Sequence, residues 1–248
     1  MGIREVLVRT PSFSQLEPAL VERLSAAATA RTYSRDQCLW RAGDQPVSMV
    51  VVQSGLLKLS RPVARGRSAL CGLFGPPESV GDLALVRGIS YPASAIVATP
   101  SATIISIPRK EALAALQESR QFALQLACAA KDKVDRLHDK IDILSAGAVE
   151  ARLATLLLKL YERFGDDFDD GSSRLPVALS RQDLADLVAT SFETVIRLMT
   201  RWEREGTVST DRGGFTLADM RRLRETAGQA APDTFEGFAA LGESSKAS

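Results

Sequence analysis

Histidine occurs once in 248 residues, cysteine three times, and aromatic side chains make up only 6%. A single imidazole, His138, leaves little material for acid–base or metal-hydrolase chemistry. No H-E-x-x-H, Walker loop or nucleophile elbow is present, so an enzyme is not expected. The cysteines, Cys38, Cys71 and Cys128, stand far apart and form no C-x-x-C pair. Neither a disulfide framework nor a thiolate metal cluster is expected, and the three are read as small buried hydrophobes. An excess of either charge is also missing: 31 Lys and Arg face 30 Asp and Glu. Such a balance gives no global attraction to nucleic acid, and any such function must rest on a few placed cations. No apolar run reaches the roughly 18 residues of a membrane span. The opening MGIREVLVRT lacks the apolar centre of a signal peptide. The chain therefore reads as a soluble protein of a reducing cytoplasm with no membrane partner.

What is present is a hydrophobic share of 45%, enough for a packed core. Ser14 to Glu17 has the spacing of a capping box, and Leu16, Leu20, Val21 and Leu24 predict a helix over about 15–30. From Thr32 to Ile107 short runs rich in Val, Ile, Leu and Ser alternate with Gly and Pro turns. Strands are expected at Cys38–Trp40, Met49–Val52, Leu56–Ser60, Ala69–Phe74, Ala93–Ala98 and Thr103–Ile107, as in an antiparallel sandwich or barrel. Pro108 suits a first helical position, with a short helix to about Leu116. Glu118 to Ala146 contains no Gly or Pro and reads as one long helix. Within it Ala127, Ala130, Val134, Leu137, Ile141 and Leu144 form an a/d seam between charged flanks, which predicts a dimer helix. A further helix is expected over Val149–Phe164, then the polar acidic loop GDDFDDGSSR. After Arg224 the composition loosens into a tail in which Phe235, Phe238 and Leu241 are the apolar residues.

The informative segment is LSRQDLADLVATSFETVIRLMTRW, Leu179 to Trp202. Ser180 can cap a first helix and Ser191 a second, with Ala189-Thr190-Ser191 as the turn between them. Leu184 and Val188, and then Val195, Leu198 and Met199, supply the buried faces, and small Ala185 permits a close crossing. Two short helices across a tight turn make a helix-turn-helix, and Thr207–Thr210 with Gly214–Leu217 can form a wing behind it. The outer face of the second helix carries Phe192, Glu193, Ile196, Arg197 and Arg201. A carboxylate accepts from cytosine N4, and a guanidinium pairs with guanine O6 and N7. Glu193 and Arg197, one turn apart, can thus read a G·C pair, and Glu193 can fix the Arg197 fork. Ser180, Arg181, Gln182, Ser191, Thr194 and Arg201 sit where phosphates would pass the helix N-termini. The module itself is not basic, so a dimer summing two half-sites is expected.

These residues resemble the cyclic-AMP receptor protein / fumarate-nitrate regulator (CRP/FNR) superfamily over about residues 13 to 225. LSRQDLADLVATSFETVIRLMTRWEREG is similar to its DNA-reading signature, GDQPVSMVVVQSGLLKLS to its sensor hairpin, and VGDLALVRGISYPASAIVAT to its effector cassette. The resemblance implies an α+β chain: an antiparallel β jelly-roll, cyclic-nucleotide-binding-like sensor over 1–117 and a dimerisation helix over 118–147. A winged helix-turn-helix over 148–228 and a flexible tail over 229–248 complete it. Its implied partners are double-stranded DNA with TGA-type half-sites, a second copy of the chain, and RNA polymerase where it activates.

Departures from the family bear on the effector. Cyclic-nucleotide binders carry a Gly-Glu pair and then an Arg for the phosphate; here stand Gly81-Asp82 and Tyr91. The adenine-contacting Thr-Ser pair is replaced by Leu137-His138, which argues against cyclic AMP. The effector pocket is expected at Gly81, Asp82, Leu83, Tyr91, Ser94, Leu137 and His138. Only Cys38 lies near the N-terminus, which argues against an iron-sulfur cluster. His138 could ligate haem or contact another effector, and Cys71 could be a redox switch. Phe192 and Ile196 replace the usual residues at the outer bases. Ala189 replaces the usual turn Gly, tolerable if the turn avoids positive φ. The alternative reading is a haem- or small-ligand sensor whose main partner is another protein.

Overall fold

The computed structural model describes residues 1–63, 68–167 and 173–228. Two helices open it, α1 (Ile3–Arg9) and α2 (Pro18–Ala27). Then come β1 (Thr29–Ser34), β2 (Cys38–Trp40), β3 (Ser48–Ser54), β4 (Leu57–Pro62), β5 (Ser68–Phe74) and β6 (Ser79–Val80). A one-and-a-half-turn helix α3 (Asp82–Arg87) precedes β7 (Ser94–Val97) and β8 (Ser101–Pro108). These strands form two antiparallel four-stranded sheets, ordered β1-β8-β3-β6 and β2-β7-β4-β5.

The valine run of β3 shows how the sandwich is held. Successive side chains on a strand point to opposite faces. Val50 and Val52 enter the core between the sheets with Leu57, Val97 and Ile104, while Met49 and Val51 face outward. The outer face is covered by α1, α2, the turn between them and the following helices through Leu7, Leu24, Phe13 and Phe122. Both faces are dry, so the strand reads as a continuous apolar run rather than an alternation.

After β8 come α4 (Arg109–Glu118) and α5 (Arg120–Ser145), the latter capped by Ser119, whose hydroxyl accepts from Phe122 N. At 26 residues α5 is about 39 Å long. Gly147, at φ +78°, turns the chain into α6 (Val149–Phe164). The remaining elements are β9 (Asp166–Asp167), β10 (Ser173–Leu175), α7 (Arg181–Leu187), α8 (Phe192–Arg204), β11 (Val208–Asp211), β12 (Gly214–Leu217) and α9 (Met220–Thr226). Strands β11-β12-β10-β9 form a third antiparallel sheet. Its core includes Leu157, Leu184, Val195, Met199, Trp202 and Phe215, and also takes in Leu56, Leu70 and Leu73 of the first sandwich.

Several expectations are corrected. The helix expected from residue 15 begins at Pro18; Ser14 Oγ instead donates to the Pro11 carbonyl at 3.2 Å. A helix started at Ser14 would place Pro18 where its missing N–H forfeits the first intrahelical bond, whereas at N1 that loss costs nothing. Pro108 ends β8 and caps α4 rather than opening it. The acidic loop is flanked by the short pair β9–β10, with its centre, 168–172, outside the described residues. All three cysteines are exposed rather than buried. The tail residues Phe235, Phe238 and Leu241 also lie outside the described residues.

Candidate nucleic-acid interface and sensor cavity

The helix-turn-helix is built by two serine caps. Ser180 Oγ accepts from Asp183 N at 3.0 Å, and the Asp183 carboxylate accepts from Ser180 N at 3.0 Å, a reciprocal box that starts α7. Ser191 Oγ accepts from Thr194 N at 3.2 Å and starts α8. Between them Ala189 sits at φ +51°, so the turn does adopt the left-handed conformation that its missing glycine would suit. Val195, Leu198, Met199 and Trp202 bury one face of α8. The opposite face stays open: Phe192 is 42% exposed, Ile196 40%, and Glu193 and Arg197 are exposed.

Glu193 and Arg197 carry no ion pair to one another, so the carboxylate does not fix the guanidinium as the sequence suggested. Glu193 is instead held below the usual carboxylate range by the backbone N–H at its own position and then by the Ser191 hydroxyl. Arg197 joins Arg201 and Arg204 along one shallow depression of α8. Arg201 pairs with Glu150 of α6. Arg181 donates to Thr210 Oγ1 at 3.0 Å and pairs with Glu203, which ties α7 to the wing. Gln182 Nε2 donates to Asp186 Oδ1 at 2.8 Å on the exposed side. The wing, β11 and β12, turns on Asp211, whose Oδ1 accepts from Gly214 N at 2.9 Å.

The cassette residues lie in the sandwich. Gly81 is at φ +76°, and a Cβ there would stand 2.6 Å from Tyr91 Cε1. Tyr91 is buried and stacks on Trp40 with ring centroids 4.3 Å apart. Burial, and then the Asp82 carboxylate, push its phenol up to about 12. Asp82 is buried, accepts from Ser79 Oγ at 2.8 Å and pairs with Lys133 of α5. Its counter-charge is thus supplied from within the chain. Ser94 Oγ accepts from Ala42 N at 3.0 Å. Leu83, Leu137 and His138 are exposed.

A separate cavity of about 320 Å³ opens between β4, β5, α5 and α6. Leu137 lines it, but His138 and Gly81 to Ser94 do not. Reasoning from sequence missed its ionic frame. Glu78 pairs with both Arg136 of α5, at 3.0 Å, and Arg163 of α6, at 3.2 Å. Burial lowers the Arg163 guanidinium from its ordinary value, against the pull of Glu78. A further bridge, Lys58–Asp183 at 3.1 Å, joins β4 to the first turn of α7. These partners lie 58, 85 and 125 positions apart, so no local pattern announces them.

Residues 30–119 match the family model of the cyclic nucleotide-binding domain, and residues 151–226 match the Crp-like helix-turn-helix domain. The chain belongs to the CRP/FNR family of transcription regulators. Its helix-turn-helix is a DNA-binding module of that family. Among similar proteins is a CRP-like cAMP-activated global transcriptional regulator of Mycobacterium tuberculosis. It is 24% identical over 90% of this chain and 99% of its own length. The Cyclic AMP receptor protein of Thermus thermophilus is 27% identical over 88% of this chain and 97% of its own. The solved structure of FixK2 from Bradyrhizobium japonicum shares the fold with a TM-score of 0.67, at 20% identity, over 82% of this chain and 99% of its own. The relatives are regulators rather than enzymes, and among the described residues no helix is long and apolar enough to cross a membrane.

Proposed function

We propose that this CRP/FNR regulator acts as a cytoplasmic homodimer on a palindromic operator, gated by an effector other than cyclic AMP. The observation that carries the dimer is the seam of α5. Val134, Leu137, Ile141 and Leu144 are 48%, 58%, 59% and 37% exposed, and Ala127 is open beside them. An apolar stripe of this length, at a/d spacing, favours a partner helix. Two-fold pairing along α5 would present two copies of α8 to successive half-sites. Glu193 and Arg197 then read the inner G·C pair of each TGA-type half, and Ser180, Arg181, Gln182, Ser191, Thr194 and Arg201 border its phosphates. RNA polymerase is the further partner at promoters it activates.

Two M. tuberculosis and T. thermophilus relatives are named for cyclic AMP. Here Tyr91 fills the phosphate position, stacked on Trp40, and Asp82 is already neutralised by Lys133. A cyclic phosphate would be buried there without a facing guanidinium, at high cost. The protein-directed haem-sensor reading has no observation in its favour, since His138 is exposed and off the cavity wall.

Sedimentation of the full chain and of a Leu137→Lys/Ile141→Lys variant, beside gel shifts on a palindromic TGA/TCA duplex, tests this. The wild type is expected to sediment as a dimer and shift the duplex as one two-fold complex. The variant should be monomeric and lose the shift. A wild-type monomer at concentrations that saturate the duplex would contradict the reading.

A further inference from the structure

We propose that the cavity between the β4–β5 hairpin, α5 and α6 binds an amphipathic monoanion: an aryl or medium-chain alkyl body ending in one carboxylate or sulfonate. This names the chemistry of the effector invoked above. Its regulatory consequence rests on that reading, while the binding itself does not. The volume, about 320 Å³, is at the lower end of the roughly 300–1,000 Å³ that small-molecule sites occupy.

The walls are apolar: Leu59 and Leu73 from the hairpin, Ile143 from α5, Leu156 and Leu160 from α6. Such a lining favours a compact hydrophobic body over a sugar or nucleotide. The charges around it are unevenly compensated. On the hairpin side Glu78 alone serves two guanidiniums, Arg136 and Arg163. Lys140 lines the cavity with no acid partner among the described residues. On the far side the balance reverses, with Lys159 held by both Asp139 and Asp142. Lys133 is matched by Asp82. Taken together, these five cations face four acids, which leaves one positive charge over around an otherwise greasy chamber. A surplus of one charge suits a single anionic head; a dianion would have to draw a guanidinium away from Glu78.

The position matters as much as the chemistry. Leu187, the last residue of α7, reaches the same cavity, so an occupant touches the sensor sheet, the dimer helix and the DNA-reading module together. No cassette residue from Gly81 to Ser94 lines it. Cys71, an exposed thiol, stands in its wall and offers a local reporter.

The test uses the full chain without DNA and anilinonaphthalene sulfonate as the probe. Saturable fluorescence with one site per chain is expected. Phenylbutyrate should displace the probe at about one-tenth the concentration needed of neutral phenylbutanol, and Lys140→Met should weaken the probe about tenfold, because a charge-assisted contact is lost. Bound probe should slow iodoacetamide alkylation of Cys71 and leave Cys38 unchanged. No saturable binding, equal displacement by acid and alcohol, undiminished binding in Lys140→Met, or an unprotected Cys71 would each overturn the proposal. A gel shift on the same preparation separates the two claims. Duplex binding without probe uptake removes only the ligand site; probe uptake without duplex binding removes only the proposed function.

Discussion

Glu150 hitches α8 to the start of α6, and removing it should loosen the helix-turn-helix measurably. Its Oε1 accepts from Trp202 Nε1 at 3.1 Å and also pairs with Arg201. Trp202 is only 1% exposed. Glu150→Ala leaves the indole N–H buried without an acceptor, which costs about 1–3 kcal/mol. The Arg201 pair is more than a third exposed on both sides, so solvent screening limits it to about 0.5 kcal/mol. Losing an acid from the first turn of α6 adds about 0.3–1 kcal/mol. The sum is about 2–4.5 kcal/mol. Glu150→Gln keeps an acceptor for the indole and should cost about 1 kcal/mol. The chain has two tryptophans, so in a Trp40→Phe background urea unfolding followed by fluorescence reports Trp202 alone. An alanine variant within about 0.5 kcal/mol of its parent, or a glutamine variant as unstable as the alanine one, would refute the anchoring role.

Ala189→Gly relieves a left-handed alanine and should stabilise the module by about 0.5–1 kcal/mol after the entropic cost of glycine; thermal unfolding measures it, and a loss of stability would contradict the turn geometry. Lys58→Met retains the side-chain stem but removes the bridge to Asp183, whose carboxylate keeps its bonds to Ser180. Hydrogen exchange in α7 should rise by the equivalent of about 1 kcal/mol, and unchanged protection would show the bridge to be idle. Tyr91 favours its neutral phenol in the folded state, with its value raised to about 12. The stability it contributes is complete below about pH 10 and is lost as pH rises through 12. The difference in phenolate absorbance between wild type and Tyr91→Phe should therefore titrate near 12; titration near 10 would sink the burial argument.

Elements with strong local patterns were legible in the sequence. The helix expected over Val149–Phe164 occupies those residues, because Leu153, Leu156, Leu157 and Leu160 recur on one face and all are buried. The two serine caps of the helix-turn-helix stand where spacing placed them, since a cap needs only the next three residues. Strand β1 was not foreseen. Thr29 to Ser34 shows no apolar alternation, and it is a strand because β8 pairs with it from Thr29–Ser106 to Ser34–Ser101. Helix α3 was hidden in the cassette, since six residues are too short to show a period. The exposure of the cysteines escaped notice for a different reason. Composition states how often a thiol is buried, not which face of β5 or α5 carries it. The charged frame around Glu78 and Asp82 is assembled from distant segments, and only the fold reveals that a familiar cassette has its acid neutralised internally.

The central claim is that α8 reads bases through Glu193 and Arg197, and a gel-shift titration of wild type and Arg197→Ala on a TGA/TCA palindrome tests it most directly. The same duplexes should be run with the inner G·C pair exchanged for A·T. Wild type should lose about 1–3 kcal/mol on the exchanged duplex, and Arg197→Ala should bind both duplexes equally and more weakly by a similar amount. An Arg197→Ala protein that binds as tightly as wild type and still prefers the G·C duplex would contradict it.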